Sequence, residues 1–170
     1  MRGDDVFGRF MLDEMSKRNV DVRNIIVREG AQTGLNVILN QQFDRAILTY
    51  PGLIDALKAS DILDNLLRRA RHLHVSSIFL QTNLHPDLPK LFRRARSFGL
   101  TTSLDTNYDP SEKWIGLDEL FSVTNIFLLN ELDADWPCYS GKWTAGHRPC
   151  SLLWGGSNRS DFPKFMQSGL

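Results

Sequence analysis

Apolar and polar positions alternate along this chain with two periods, one helical and one extended. Val6, Phe7, Phe10, Met11 and Met15 recur at helical spacing within Asp4–Arg18, with Asp4 and Asp5 at the end where carboxylates favour a helix. Asn19 and Val20 break out of it into an extended stretch, Ile25-Ile26-Val27. From Thr33 to Asn40 the pattern alternates, with Leu35, Val37 and Leu39 opposite Asn36 and Asn40. A turn at Gln41–Asp44 and a second run, Arg45–Tyr50, complete a hairpin that Pro51-Gly52 ends.

Ser60-Asp61 reads as the cap of a helix through Leu63, Leu66, Leu67 and Ala70, followed by a buried strand, Leu73–Leu80. Pro86-Asp87 opens a helix through Leu88, Leu91, Phe92 and Ala95, and Gly99 ends it. A strand at Leu100–Leu104, an aromatic-bearing loop with Tyr108 and Trp114, a short helix at Leu117–Phe121 and a strand at Asn125–Leu129 follow. Asn130 is placed to cap one more helix. Strands alternating with helices imply right-handed crossovers and a mostly parallel sheet, from which the hairpin at 33–50 projects as a flap.

Two of these strands end in the same chemistry. Leu100–Leu104 runs into Asp105-Thr106-Asn107, and Ile126–Leu129 runs into Asn130-Glu131-Leu132-Asp133. Ligands of open α/β sheets sit just beyond the strands' carboxyl ends, so paired tips of this kind point to a polar, magnesium-binding site. Asp and Asn also cap turns routinely. Recurrence at equivalent positions favours the site.

Composition narrows the field. The 170 residues allow one domain with a substantial core. Lys plus Arg equals Asp plus Glu at 20 each, so no nucleic-acid or anionic-membrane partner is indicated. No apolar run approaches the roughly 20 residues that span a bilayer. The first residues lack a signal core and two cysteines form no disulfide framework, so a cytoplasmic setting is expected. The triplets Arg68-Arg69-Arg71 and Arg93-Arg94-Arg96 lie near helix carboxyl ends, as solvated cations do. His72 and His74 share one face of a strand without a Cys or carboxylate at ligand spacing, which favours structural roles.

Beyond Asp135 the pattern dissolves. Trp136, Trp143, Trp154, both cysteines (Cys138 and Cys150), three prolines and five glycines crowd residues 135–170. The tail reads either as an irregular, loop-rich cap or as the product of a frameshift near Ala134. Regrouping the bases of Asp135–Thr144 by one position forces Leu, Ala and a later Asp, which would continue an amphipathic helix. Cys138, His147 and Cys150 have the wrong spacing for a closed zinc site, and Gly141-Lys142-Trp143-Thr144 lacks the first glycine of a phosphate loop.

Taken in order, the motifs resemble the ribokinase-like, PfkB-type carbohydrate kinases over Gly3–Ala134. Gly3-Asp4-Asp5-Val6-Phe7-Gly8 resembles the family's Gly-x-Asp-x-Phe-Gly segment, and Thr33-Gly34-Leu35 with the hairpin resembles its lid. Asp105-Thr106-Asn107 with Trp114 is similar to its Asp-x-Asn strand end, and Asn130-Glu131-Leu132-Asp133 to its Asn-x-x-Glu motif. The resemblance implies a three-layer α/β/α fold with a mostly parallel sheet and a protruding hairpin lid, incomplete at both ends: a partial kinase domain at 1–134. It implies transfer of the ATP γ-phosphate to a sugar or sugar-acid hydroxyl. Asp105, Asn107, Asn130 and Asp133 would serve the cofactor, with Asn130 and Asp133 holding Mg2+ through water. It also implies a homodimer paired through the lid.

Departures are equally specific. Asp133 replaces Glu, and Asp109 stands where many sugar-acid and fructose kinases of this family carry Arg, so that contact to an anionic substrate is not transferred. The Gly-Ala-Gly-Asp motif carrying the catalytic base is absent, so no catalytic residue is assigned and the chain alone is expected to be inactive. A non-catalytic sugar- or nucleotide-binding protein derived from a kinase is the alternative.

Overall fold

The computed structural model describes residues 1–41, 44–107, 109, 111, 113–129 and 151–154. Packing divides the chain into two compact units, residues 1–57 with 80–84, and 58–79 with 85–170. Among the described residues no helix is long and apolar enough to cross a membrane.

In the first unit a short strand β1 (Arg2–Gly3) pairs in parallel with β2 (Val27–Arg28), and helix α1 (Val6–Lys17) follows β1 directly. Gly8 is the buried residue of α1, whereas Val6, Phe7 and Phe10 are exposed. Part of the apolar stripe read from the spacing therefore lies outward. Its orientation is set by Gly8, where an added Cβ would meet the Gly3 carbonyl oxygen at 2.4 Å and the Thr33 hydroxyl at 2.7 Å. Strands β3 (Leu35–Gln41) and β4 (Asp44–Tyr50) form the expected antiparallel hairpin, with Leu35 beside Tyr50 and Gln41 beside Asp44. Val37 opposes Leu48 on one face and Ile38 opposes Ile47 on the other, and all four are exposed. Both faces of the hairpin are apolar.

The second unit is a four-stranded parallel sheet in the order β5-β6-β7-β8, formed by His72–Ser76, Thr101–Asp105, Ile126–Leu129 and Ser151–Trp154. Helix α3 (Leu88–Ser97) buries Leu88, Leu91, Phe92 and Ala95, and α4 (Leu117–Phe121) buries Leu117, Leu120 and Phe121. Val75, Leu104 and Phe127 supply the facing sheet positions, with Phe121 edge-on to Phe127 at 4.8 Å. Burial of this set away from water is the main source of the unit's stability. Gly99 takes a left-handed φ of 87° after α3, the carboxyl-cap conformation glycine adopts without strain.

Three expectations change. The helix expected from Ser60-Asp61 is a 3-10 turn at Ala59–Asp61 followed by a four-residue helix α2 (Asp64–Leu67). The Asp61 carboxylate turns back to accept the Lys58 amide at 2.9 Å, and Ile62 is extended, so the two turns cannot fuse. The strand expected to reach Leu80 stops at Ser76, because Ser77 has φ 54° and its N–H bonds the Asp105 carbonyl at 2.9 Å. In the tail, Ser151–Trp154 forms a strand on β7 where none was expected. The helix expected after Asn130, and the rest of the segment at 135–170, lie outside the described residues.

Candidate functional site

Register decides whether the two polar tips meet. Ser103, Leu104 and Asp105 of β6 stand beside Ile126, Phe127 and Leu128 of β7, running the same way. The carboxyl ends of both strands therefore open on one rim, with Asp105 one strand away from the residues leading into Asn130. Asn130 and Asp133 themselves lie outside the described residues.

That register is locked at the opposite end of the strands. Thr102, fully buried, donates its hydroxyl to the Val123 carbonyl at 2.9 Å, and its amide donates to Asn125 Oδ1 at 2.9 Å. The Asn125 amide in turn bonds the Thr102 carbonyl at 3.1 Å. A one-residue slip would leave these buried polar groups unmatched.

At the rim, half-buried Asp105 accepts the Asn107 backbone N–H on Oδ1 at 3.0 Å, an Asx turn that lets Asn107 adopt φ 53°. The Asn107 side-chain amide donates to the Ser77 hydroxyl at 3.3 Å. Ser77, at the end of β5, thus joins Asp105 and Asn107. Sequence reasoning missed it by extending β5 to Leu80. Among the described residues Asp105 Oδ2 takes no hydrogen bond, so a carboxylate oxygen stands ready beside an amide. Hard oxygen donors of this kind suit a hydrated magnesium ion or its waters.

The following loop is organised by Asp109, which is 3% exposed. Its carboxylate accepts the N–H groups of Ser111, Lys113 and Trp114 at 2.8, 3.1 and 2.7 Å, and the Ser111 hydroxyl at 2.9 Å. Burial alone would raise its pKa, but these donors outweigh it and hold the carboxyl below its ordinary value. Asp109 thus fastens the loop. Its spacing to Ser111 is the Asx-turn signal that sequence could have offered. Trp114 packs edge-on to Phe79 at 5.3 Å, and Phe79 edge-on to His85 at the same distance. Burial lowers the His85 pKa, partly offset by the Asp109 charge.

In the first unit, the Gly3–Gly8 motif closes on Thr33. The Asp5 carboxylate caps α1 through the Gly8 N–H at 2.8 Å and accepts the Thr33 N–H and hydroxyl, both at 2.7 Å. Thr33 in turn accepts the Gly3 N–H at 3.0 Å. The Asp5 pKa is lowered by the Gly8 amide first and then by the Thr33 donors. Gly34 is obligatory for the same closure, since an added Cβ would stand 2.7 Å from the Pro51 carbonyl oxygen.

Three arginines of the two triplets are engaged within the fold. Arg93 pairs with Glu119 at 2.7 Å, Arg94 contacts Asp64 and the carbonyls of Ala59 and Ile62, and Arg68 lies 4.1 Å over the Phe98 ring.

The pfkB family carbohydrate kinase model matches residues 2–140. The chain belongs to the PfkB family. Solved structures agree on the fold. A PfkB protein from Polaromonas sp. JS666 is 21% identical with a TM-score of 0.67, covering 78% of this chain and 49% of that one. A fructokinase from Xylella fastidiosa is 22% identical with a TM-score of 0.68, covering 82% and 48%. A sugar kinase from Pyrococcus horikoshii is 20% identical with a TM-score of 0.68, covering 82% and 49%. The chain spans a little under half the length of each of these PfkB-type structures. No curated protein matches the sequence. The ribokinase-like fold with its mostly parallel sheet is thereby established for this chain.

Proposed function

We propose that this PfkB chain carries the nucleotide-side rim and the lid hairpin of a kinase that transfers the ATP γ-phosphate to a sugar or sugar-acid hydroxyl. The observation supporting this most directly is the parallel register of β6 and β7, which opens Asp105 and the approach to Asn130 on one rim. Similar structures include the Xylella fastidiosa fructokinase with bound ATP and an E. coli protein of the ribokinase II type in complex with ATP and Mg2+.

In this reading Asp105 and Asn107 orient phosphate oxygens or the waters of the cation, and Asn130 and Asp133 hold Mg2+ through water. Mg2+ would supply charge neutralisation on the phosphates. The Asx turn at Asp105 presets the Asn107 backbone, so less ordering is left for binding. As a lid, the hairpin would exclude water and favour transfer over hydrolysis. Its apolar positions on both faces support pairing with a second copy. The setting is cytoplasmic.

Attack by a sugar hydroxyl needs a proton acceptor, and the Gly-Ala-Gly-Asp motif that supplies one in the family is not in this sequence. We therefore assign the chain nucleotide binding without turnover of its own. Calorimetric titration of the purified chain with ATP, with and without magnesium, followed by an ADP-release assay across a panel of sugars, tests this. Magnesium-dependent ATP binding without ADP release is the expected result. A folded chain that ignores ATP would overturn the kinase reading, and sugar-dependent ADP release would overturn the inactive one.

A further inference from the structure

Away from the rim, one face of β5 and β6 carries a polar cluster that phosphoryl transfer leaves unused. His72 and His74 alternate with Leu73 on β5, so both imidazoles stand on the same face, opposite Thr101 and Ser103 of β6. His72 Nε2 and His74 Nδ1 each lie 2.7 Å from one oxygen, Ser103 Oγ. The two ring nitrogens are thus held within twice that distance of each other.

Proton accounting shows what this arrangement offers. The Thr101 hydroxyl reaches the Arg71 carbonyl at 3.5 Å and bonds His72 Nδ1 at 2.7 Å. With its proton turned to that carbonyl, Thr101 accepts from His72 Nδ1–H, which leaves the His72 Nε2 lone pair facing Ser103. Ser103 has a single hydroxyl proton for two imidazole nitrogens. It donates to His72 and accepts from His74, and a shift of the His74 ring proton to its other nitrogen presents a second lone pair to the same point.

We propose that His72 and His74 form a binding site for a divalent transition-metal cation of the zinc class over Ser103. Four features support it. The His-x-His pair sits on an edge strand of the described sheet, and both rings are exposed and reachable from solvent. The Thr101 hydroxyl fixes the tautomer of His72 through its remote nitrogen, as partners of metal-bound histidines do. Ser103 Oγ supplies an adjacent oxygen. Imidazole ligands select zinc, copper or nickel over magnesium, which separates this site chemically from the nucleotide rim. Zinc bonds of about 2.0–2.1 Å need the nitrogens roughly 3–3.5 Å apart, which rotation of two exposed side chains can reach. Among the described residues no group of three or more His, Cys, Asp or Glu surrounds a point, so water completes the shell.

Zinc chloride titrated calorimetrically into the chain carrying Cys138→Ser and Cys150→Ser tests the site without interference from thiols. His72→Ala and His74→Ala, added singly to that background, should each weaken binding by more than about tenfold, and Thr101→Val by about tenfold. Magnesium should not compete. Ring-proton resonances of His72 and His74, followed by NMR in the protein retaining both, should shift with zinc while those of His85 stay. Unchanged zinc affinity in both alanine variants, or ring signals that ignore zinc, would overturn the proposal even if a variant lost β5.

Discussion

The Asp5 carboxylate receives both the backbone N–H and the hydroxyl of Thr33 at 2.7 Å, tying the start of α1 to the segment that leads into the hairpin. One short side chain performs two tasks here. It caps the helix through Gly8 and holds Thr33-Gly34 in place for β3.

Because these donors favour the charged form, the folded pKa of Asp5 lies below its ordinary value near 3.8. The sign follows by linkage: the stabilisation is complete above that value and is lost as pH falls through the lower folded pKa. Asp5→Asn should therefore lower thermal stability at pH 7 and flatten the acid limb of the stability curve below about pH 4. Melting curves by circular dichroism between pH 7 and pH 2 check both effects. An acid limb as steep in the variant as in the parent would refute the assignment.

Asp109 presents a buried version of the same logic. Asp109→Ala strands the N–H groups of Ser111, Lys113 and Trp114, so a loss of about 2–3 kcal/mol is expected. Asp109→Asn keeps one acceptor oxygen but turns its NH2 group toward N–H donors that the other oxygen serves, so it should destabilise the loop as well. Asp109→Arg, which restores the residue common in the family, should destabilise the loop rather than create a sugar-acid site. Chemical denaturation of the three variants, with tryptophan emission as the local readout, should place all three below the parent, and a variant as stable as the parent would refute the role of the carboxylate.

Thr102 and Asn125 locate the prediction for register. Thr102→Val is close in shape but leaves the Val123 carbonyl without its hydroxyl donor, at an expected cost of about 1–3 kcal/mol. Asn125→Ala removes the acceptor for the Thr102 amide and should cost a similar amount. The two side chains also bond each other, the Thr102 hydroxyl lying 3.1 Å from Asn125 Oδ1, so the double variant should lose less than the sum of the singles. Urea denaturation of the four proteins measures this coupling, and strict additivity would count against a shared lock.

How much of this was legible in the sequence varies by element. Helix α4 matches its expected bounds because Leu117, Leu120 and Phe121 face one core and Gly116 precedes them with φ 87°. The hairpin was legible because Leu35, Val37 and Leu39 alternate with Asn36 and Asn40 and Pro51-Gly52 ends the second strand, although Ile38 makes the second face apolar too. The parallel order of β5, β6 and β7 followed from the helices between them. Other features depend on contacts distant in sequence. Ser77 ends β5 through a bond to the Asp105 carbonyl, which no local pattern announces. The outward turn of Val6, Phe7 and Phe10 reflects the close packing of Gly8 on Gly3 and Thr33, a tertiary constraint that overrides the helical stripe. At the rim, Asp105 and Asn107 were singled out by residue type, whereas the part Asp109 plays in the loop emerged only with its three amide partners.

The rim carries the last prediction. Asp105 has one oxygen committed to the Asn107 amide, and among the described residues the other takes no hydrogen bond. Asp105→Asn preserves the size of the side chain, and its remaining amide oxygen can keep the Asx turn. What it removes is the negative charge that would meet a magnesium ion or its waters. The variant should thus melt close to the parent while binding ATP in magnesium about tenfold more weakly, a change of about 1.4 kcal/mol. Asn107→Ala breaks the side-chain bond to Ser77 and should weaken ATP binding with and without magnesium alike. The contrast between the two variants separates a charge effect on the cation from a positional effect on the phosphates. Equal losses in both conditions for Asp105→Asn would remove that carboxylate from any role with the metal.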